Sequence, residues 1–275
     1  LTKLFHYSHA FVHPHSFCSI LGTSRLMFMP IHTQPGASNG RDWMPKPDEN
    51  TEVPTGLEYL TLVDYIFVKQ KTESWEVNLG VETRNKYVLM NGAGQQVYYA
   101  YEENDSCARL CEGKDRGFII HVIDNSGREV MRIIREYNEC AGCCDGACVG
   151  SGSSFSHQVT VESPPDNVIG TVCQCQSSTM YSYEIADQDG KPVLIVDSPG
   201  FFNMAFSDTN PFSIKTNSGA EIGEIRKEWS GFLQELFTDA DNFGVRFPLD
   251  LSVYVKATLI GATFLIDFVH FEKEN

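Results

Sequence analysis

The chain has 275 residues, 42% of them hydrophobic and 12% aromatic, which supplies one large core or two modest ones and excludes chain-wide disorder. A formal net charge of −15 sets it against nucleic acid and anionic lipid as bulk electrostatic partners. Attachment to such a surface would need a local basic patch, a bridging cation or a lipid anchor.

The chain starts at Leu1 with no methionine before Met27, so the sequence is read as incomplete at its N-terminus. Residues 1–54 are expected to form an unstructured segment and linker. His6, His9, His13 and His15 lie among aromatics with no scaffold to fix them as metal ligands. The first residues also lack the unbroken apolar core of a signal peptide. Between residues 30 and 56, Pro30, Pro35, Gly36, Gly40, Pro45, Pro47, Pro54 and Gly56 break any periodicity. A folded domain is expected over residues 55–275.

From Leu57 to about Trp229 the pattern is one of short β segments. The candidates are Ile66–Lys69, Lys86–Met90, Gln96–Glu102, Gly117–Asp124, Glu129–Glu136, Ser156–Glu162, Ile169–Gln176, Tyr181–Ile185, Pro192–Asp197, Phe212–Lys215 and Glu221–Trp229. Between them stand Asn91-Gly-Ala-Gly94, Asp124-Asn-Ser-Gly127, Asp187-Gln-Asp-Gly190 and the related Thr216-Asn-Ser-Gly219. In such turns a short polar side chain caps its own backbone and glycine accepts positive φ, so each predicts a hairpin. Hairpins in series predict an antiparallel meander, and closure into a barrel removes its exposed edges.

The C-terminus changes character. Leu249 to Phe271 is largely apolar but is interrupted by Asp250, Lys256, Asp267 and His270, and its clean stretch, Ala257–Ile266, is ten residues. A membrane-spanning helix needs about 20. The run is read as a helix buried inside the barrel, in preference to a membrane span.

Nine cysteines, an odd count without a secretory signal, point to a reducing compartment. Four of them, Cys140, Cys143, Cys144 and Cys148, crowd into one glycine- and alanine-rich stretch. Cys140 and Cys143 could also join Cys107 and Cys111 in a four-thiolate zinc site, or all could be free thiols. No nucleotide-binding loop and no nucleophile elbow is present, so no enzymatic constellation emerges.

Several stretches together resemble the phospholipid scramblase family. They are Pro54-Thr-Gly-Leu-Glu-Tyr-Leu60, Asn85-Lys-Tyr87 with Gly94-Gln-Gln-Val-Tyr98, and Asp124-Asn-x-Gly-x-Glu-Val130. The tail Phe237-Thr-Asp-Ala-Asp-Asn-Phe-Gly-Val-Arg-Phe-Pro-Leu-Asp250, continuing through Leu259-Ile-Gly-Ala-Thr-Phe-Leu-Ile-Asp-Phe268, completes the likeness, which covers residues 54–272. The resemblance implies a tubby-like antiparallel barrel of about twelve strands around a hydrophobic C-terminal helix. It also implies calcium-dependent, ATP-independent movement of phospholipids between leaflets.

The resemblance assigns three elements. Asp239, Asp241, Phe243, Val245, Phe247 and Asp250 occupy positions 1, 3, 5, 7, 9 and 12 of a calcium loop, with three carboxylates and a carbonyl as hard oxygen ligands. Phe243 and Phe247 offer no side-chain oxygen and Asp250 replaces a longer glutamate, so affinity is expected near ~10⁻⁴–10⁻³ M. Read without the resemblance, the same stretch is an Asp-Ala-Asp-Asn turn feeding a strand, with a helix cap at Asp250. Cys140, Cys143, Cys144 and Cys148 match a palmitoylated cluster, which implies anchorage at the cytoplasmic face of the plasma membrane. Arg226, Lys227 and Trp229 match a nuclear-import-like segment and so a nuclear pool, although Glu224 and Glu228 dilute its basic character and a barrel strand is the preferred reading. The expected cofactor is Ca²⁺. The expected partners are a phospholipid membrane and protein partners or further copies of this chain. The competing function is a membrane-tethered lipid- or partner-binding signalling module.

Overall fold

The computed structural model describes residues 43–47, 53–71, 85–103, 117–136, 154–176, 179–200, 204, 211–228 and 242–271. Twelve strands carry the fold: β1 Tyr65–Lys71, β2 Lys86–Asn91, β3 Gln96–Glu102, β4 Phe118–Ile123, β5 Glu129–Arg135 and β6 Ser154–Glu162 are followed by β7 Val168–Gln176, β8 Tyr181–Asp187, β9 Pro192–Asp197, β10 Phe212–Thr216, β11 Glu221–Glu228 and β12 Asn242–Arg246. Each pairs antiparallel with its neighbours in the chain, and β12 closes the barrel on β1 through Ile66 opposite Val245 and Val68 opposite Phe243. A closed meander has no free edge, which explains how so many short strands coexist.

The turns form as their residues dictate. Asp124 Oδ1 accepts from the Ser126 and Arg128 amides at 2.9 and 3.1 Å, and Asp187 Oδ1 from the Asp189 and Lys191 amides at 3.0 and 2.9 Å. Gly127 and Gly190 close these turns at φ +77° and +74°, a region that side chains rarely enter. Because strands alternate in direction, the tight connections after β2, β4, β6, β8 and β10 all fall on one rim. The longer connections after β1, β3, β5, β9 and β11 fall on the other.

Helix α1, Val253–Ile266, enters from the tight-turn rim and ends in a π-helical turn, Asp267–Phe271. Together they run 19 residues, long and apolar enough to cross a membrane by length and composition. The helix instead fills the barrel. Lys256 through Phe268 are buried without a break, and Leu259, Ile260, Phe264 and Leu265 join the inward residues of the strands in one core. With apolar residues on every side, a helix must be surrounded, and the barrel surrounds it. Close packing is built on small residues: a Cβ at Gly261 would stand 2.6 Å from Val161 Cγ2, and one at Gly170 would stand 2.8 Å from the Ala186 carbonyl oxygen.

β2 and β3 do not follow simple alternation. Val88, Met90, Tyr99 and Ile123 form a second buried cluster beside Trp43, Phe67 and Tyr101, separate from the main core. Two residues from the stretch read as a linker also belong to this domain: Trp43 bridges to Gln96, and Met44 is buried with its amide donating to the Gln96 carbonyl at 2.8 Å.

Candidate functional site

The predicted site residues fall partly within and partly outside the described residues. β11 ends at Glu228 and β12 begins at Asn242, both at the rim of long connections, and Asp239 and Asp241 fall between them in sequence. β5 ends at Arg135 and β6 begins at Ser154 at the same rim, and Cys140, Cys143, Cys144 and Cys148 fall between them in sequence. Asp239, Asp241, Trp229, these four cysteines and Cys107 and Cys111 themselves lie outside the described residues. Asp250 is exposed in the turn before α1, on the opposite rim.

The middle of the expected calcium loop is strand β12. Val245 stands between Ile66 of β1 and Ile225 of β11 in the ladder, so its carbonyl faces a neighbouring strand. Phe243 and Phe247 are each 2% exposed and packed in the core. The Phe247 amide donates to the Asp64 carbonyl at 3.0 Å. An extended strand rises about 3.3 Å per residue, so Phe243 and Phe247 stand roughly 13 Å apart. Calcium holds its ligands at about 2.3–2.6 Å, and no single ion reaches donors spread along such a strand. The residues present therefore do not fit a twelve-residue loop wrapped on one ion. Strand β12 is instead what the alternative reading of this stretch, a turn feeding a strand, expects, and Phe243-Gly-Val-Arg-Phe247 alternates as a half-buried strand should. A cap at Asp250 is also corrected: α1 starts at Val253, with Ser252 at its N-cap and no side-chain capping bond. Among the described residues no cluster of three or more His, Cys, Asp or Glu could hold a metal ion.

Arg226 and Lys227 sit within β11, opposite Gly244 and Phe243 of β12. Arg226 pairs with Glu224 at 2.6 Å, and Lys227 Nζ lies 4.5 Å from the centre of the Phe271 ring. Both basic side chains are thus engaged in a barrel strand, which is the reading preferred above.

One residue that the sequence presented only as an interruption closes the tight-turn rim. Lys256 is wholly buried, and its Nζ donates to the carbonyls of Leu60 at 2.8 Å, Val63 at 2.9 Å and Leu249 at 2.7 Å. All three ammonium protons are used, and the Phe247 ring lies 5.2 Å away. Burial pushes the ammonium below the ordinary lysine range, while the Asp64 and Asp250 carboxylates oppose that shift. This clamp ties the helix to the 3-10 turn Glu58–Leu62 and to the turn at Leu249. Leu62 and Leu249, both more than half exposed, project from the same two turns.

At the other end of α1, Tyr183 donates to His270 Nε2 at 2.5 Å while accepting from Gln174 Nε2 at 3.2 Å. Tyr181, Phe212 and Phe271 surround the imidazole. Burial, helped by nearby His157, lowers the His270 pKa from 6.5 to about 4. Unfolded His270 takes up a proton near pH 6.5 that the folded residue refuses until about 4, so stability is expected to fall across that window and not above it. Between pH 7 and pH 5 the loss through this group is about 2 kcal/mol. Urea unfolding at the two pH values checks this: His270→Gln should lose that much less than the wild type, and an equal loss would exclude the assignment.

Comparison with known proteins gives one consistent answer. The scramblase family profile matches residues 44–273. Phospholipid scramblase 1 of Rattus norvegicus is 40% identical over 245 residues, covering 89% of this chain and 70% of the relative. Phospholipid scramblase 1 of Homo sapiens is 41% identical over 234 residues, covering 85% and 71%. Phospholipid scramblase family member 5 of Homo sapiens is 35% identical over 250 residues, covering 89% and 88%.

Proposed function

The chain belongs to the scramblase family, and on that premise we propose that it moves phospholipids between membrane leaflets in both directions, without ATP and in response to calcium ions. The observation that carries the reading is the family match across the whole barrel and its central helix, from residue 44 to residue 273. Two chemical elements complete it. Acyl chains on Cys140, Cys143, Cys144 and Cys148 hold the domain at the cytoplasmic face of the plasma membrane, each buried methylene contributing ~0.8 kcal/mol and two chains giving stable anchorage. The calcium response is assigned to the connection bearing Asp239 and Asp241, whose flanking strand ends stand at the same rim as those that flank the cysteines. Because α1 occupies the barrel interior, lipids pass around the filled barrel and not through it.

The filled interior also favours a second reading, a membrane-tethered module that binds lipid or protein partners and enters the nucleus without moving lipid. Liposomes that contain the purified chain and fluorescent lipid in both leaflets separate the two. Under the proposal, calcium exposes the inner-leaflet dye to an impermeant quencher; binding with the inner half still protected supports the module. An acyl-exchange gel shift on the chain from cells tests anchorage, and persistence of the shift after all four cysteines become alanine would exclude that cluster.

A further inference from the structure

The calcium-loop spacing and the barrel disagree, and the disagreement assigns Asp250 a different task. We propose that Asp250 is a counter-charge of the buried Lys256 clamp and not a calcium ligand. β12 runs from rim to rim, so Asp250 lies at the opposite rim from Asn242, where the strand begins. Asp250 follows Leu249, whose carbonyl is one of the three that hold the Lys256 ammonium. Asp64 follows Val63, whose carbonyl is another. Each of these two acceptors is thus succeeded by an exposed aspartate, one residue along the chain from a carbonyl that holds the ammonium.

An ammonium sealed inside a barrel keeps its charge only if its hydrogen bonds are complete and negative charge stands nearby. The carbonyls meet the first need, and the paired aspartates meet the second. Of the described calcium-loop positions, Phe247 is packed beneath the lysine and Val245 lies in the ladder, so neither joins Asp250 as a ligand.

The test uses the intact chain, with Ca²⁺ alone as probe and heat as a second readout. Only the first readout rests on the calcium part of the proposed function. Asp250→Asn should leave the calorimetric calcium midpoint within about twofold of wild type and lower the melting temperature by about 2–4 °C, the shift for a modest loss in a domain of this size. In a Lys256→Met background the same substitution should leave the melting temperature unchanged. Should Lys256→Met fail to fold, Asp250→Lys decides: a like charge beside the clamp should lower the melting temperature about twice as far as Asp250→Asn. A tenfold weaker calcium midpoint in Asp250→Asn, or equal thermal losses with and without Lys256, overturns the proposal. If the wild type takes up no calcium, the calcium part of the function fails while the thermal comparison still decides the clamp.

Discussion

Lys256→Ala should lower the unfolding free energy by about 3–5 kcal/mol, because it strands two buried carbonyls and one part-buried carbonyl and empties the space beneath them. The carbonyls of Leu60, Val63 and Leu249 have the ammonium as donor at 2.7–2.9 Å. An unpaired buried acceptor costs about 1–3 kcal/mol, and such losses do not simply add. Against an ordinary domain stability of about 5–15 kcal/mol, the change is large enough to bring the melting temperature down by about 10 °C. Lys256→Met keeps the volume but not the donors, so it should lose most of the same stability. Urea titration of the three proteins measures both, and a loss under about 1 kcal/mol for Lys256→Ala would mean that the clamp does not hold the helix.

Phe264→Ala should cost a comparable amount, about 3–5 kcal/mol, through a different cause. Phe264 is 1% exposed in the last turn of α1 and meets the Tyr87 ring edge-on, 4.9 Å between centres at 78°. Truncation leaves a cavity enclosed by strands that cannot collapse without breaking the closed ladder, so little of the loss is recovered by relaxation. Phe264→Leu, which refills much of the space, should lose less than about 1.5 kcal/mol. Equal losses in the two variants would indicate that the helix is loosely held, as it would be if it left the barrel readily.

The fold was legible where local chemistry is decisive. Asn91, Asp124 and Asp187 each accept from the amides of their own turns, so the hairpins could be read before any strand was placed. Eleven strands followed from alternation between those turns. The twelfth stood only in the alternative reading of its stretch, because the carboxylates of Asp239, Asp241 and Asp250 also match a metal-loop spacing. The apolar alternation of Phe243, Val245 and Phe247 within it is what packs the core. A spacing rule counts residues, whereas the barrel decides whether they bend around an ion or extend past it. Lys256 was illegible for another reason. A charge in an apolar run reads as an interruption of a membrane span, and its acceptors at Leu60 and Val63 lie nearly two hundred residues away in sequence. No local pattern announces such a contact. The buried outer cluster of Val88, Met90, Tyr99 and Ile123 escaped likewise, since alternation predicts only one covered face.

Whether lipids move while the helix stays in place can be asked directly by bridging the two. Gly261 and Val161 face each other closely enough that cysteines at both positions can form a disulfide, with the native cysteines replaced by alanine or serine. In liposomes, calcium-driven lipid movement should persist in this variant and be the same with the bridge oxidised and reduced. Movement that appears only after reduction would show that α1 must leave the barrel, and would contradict a permanently filled core.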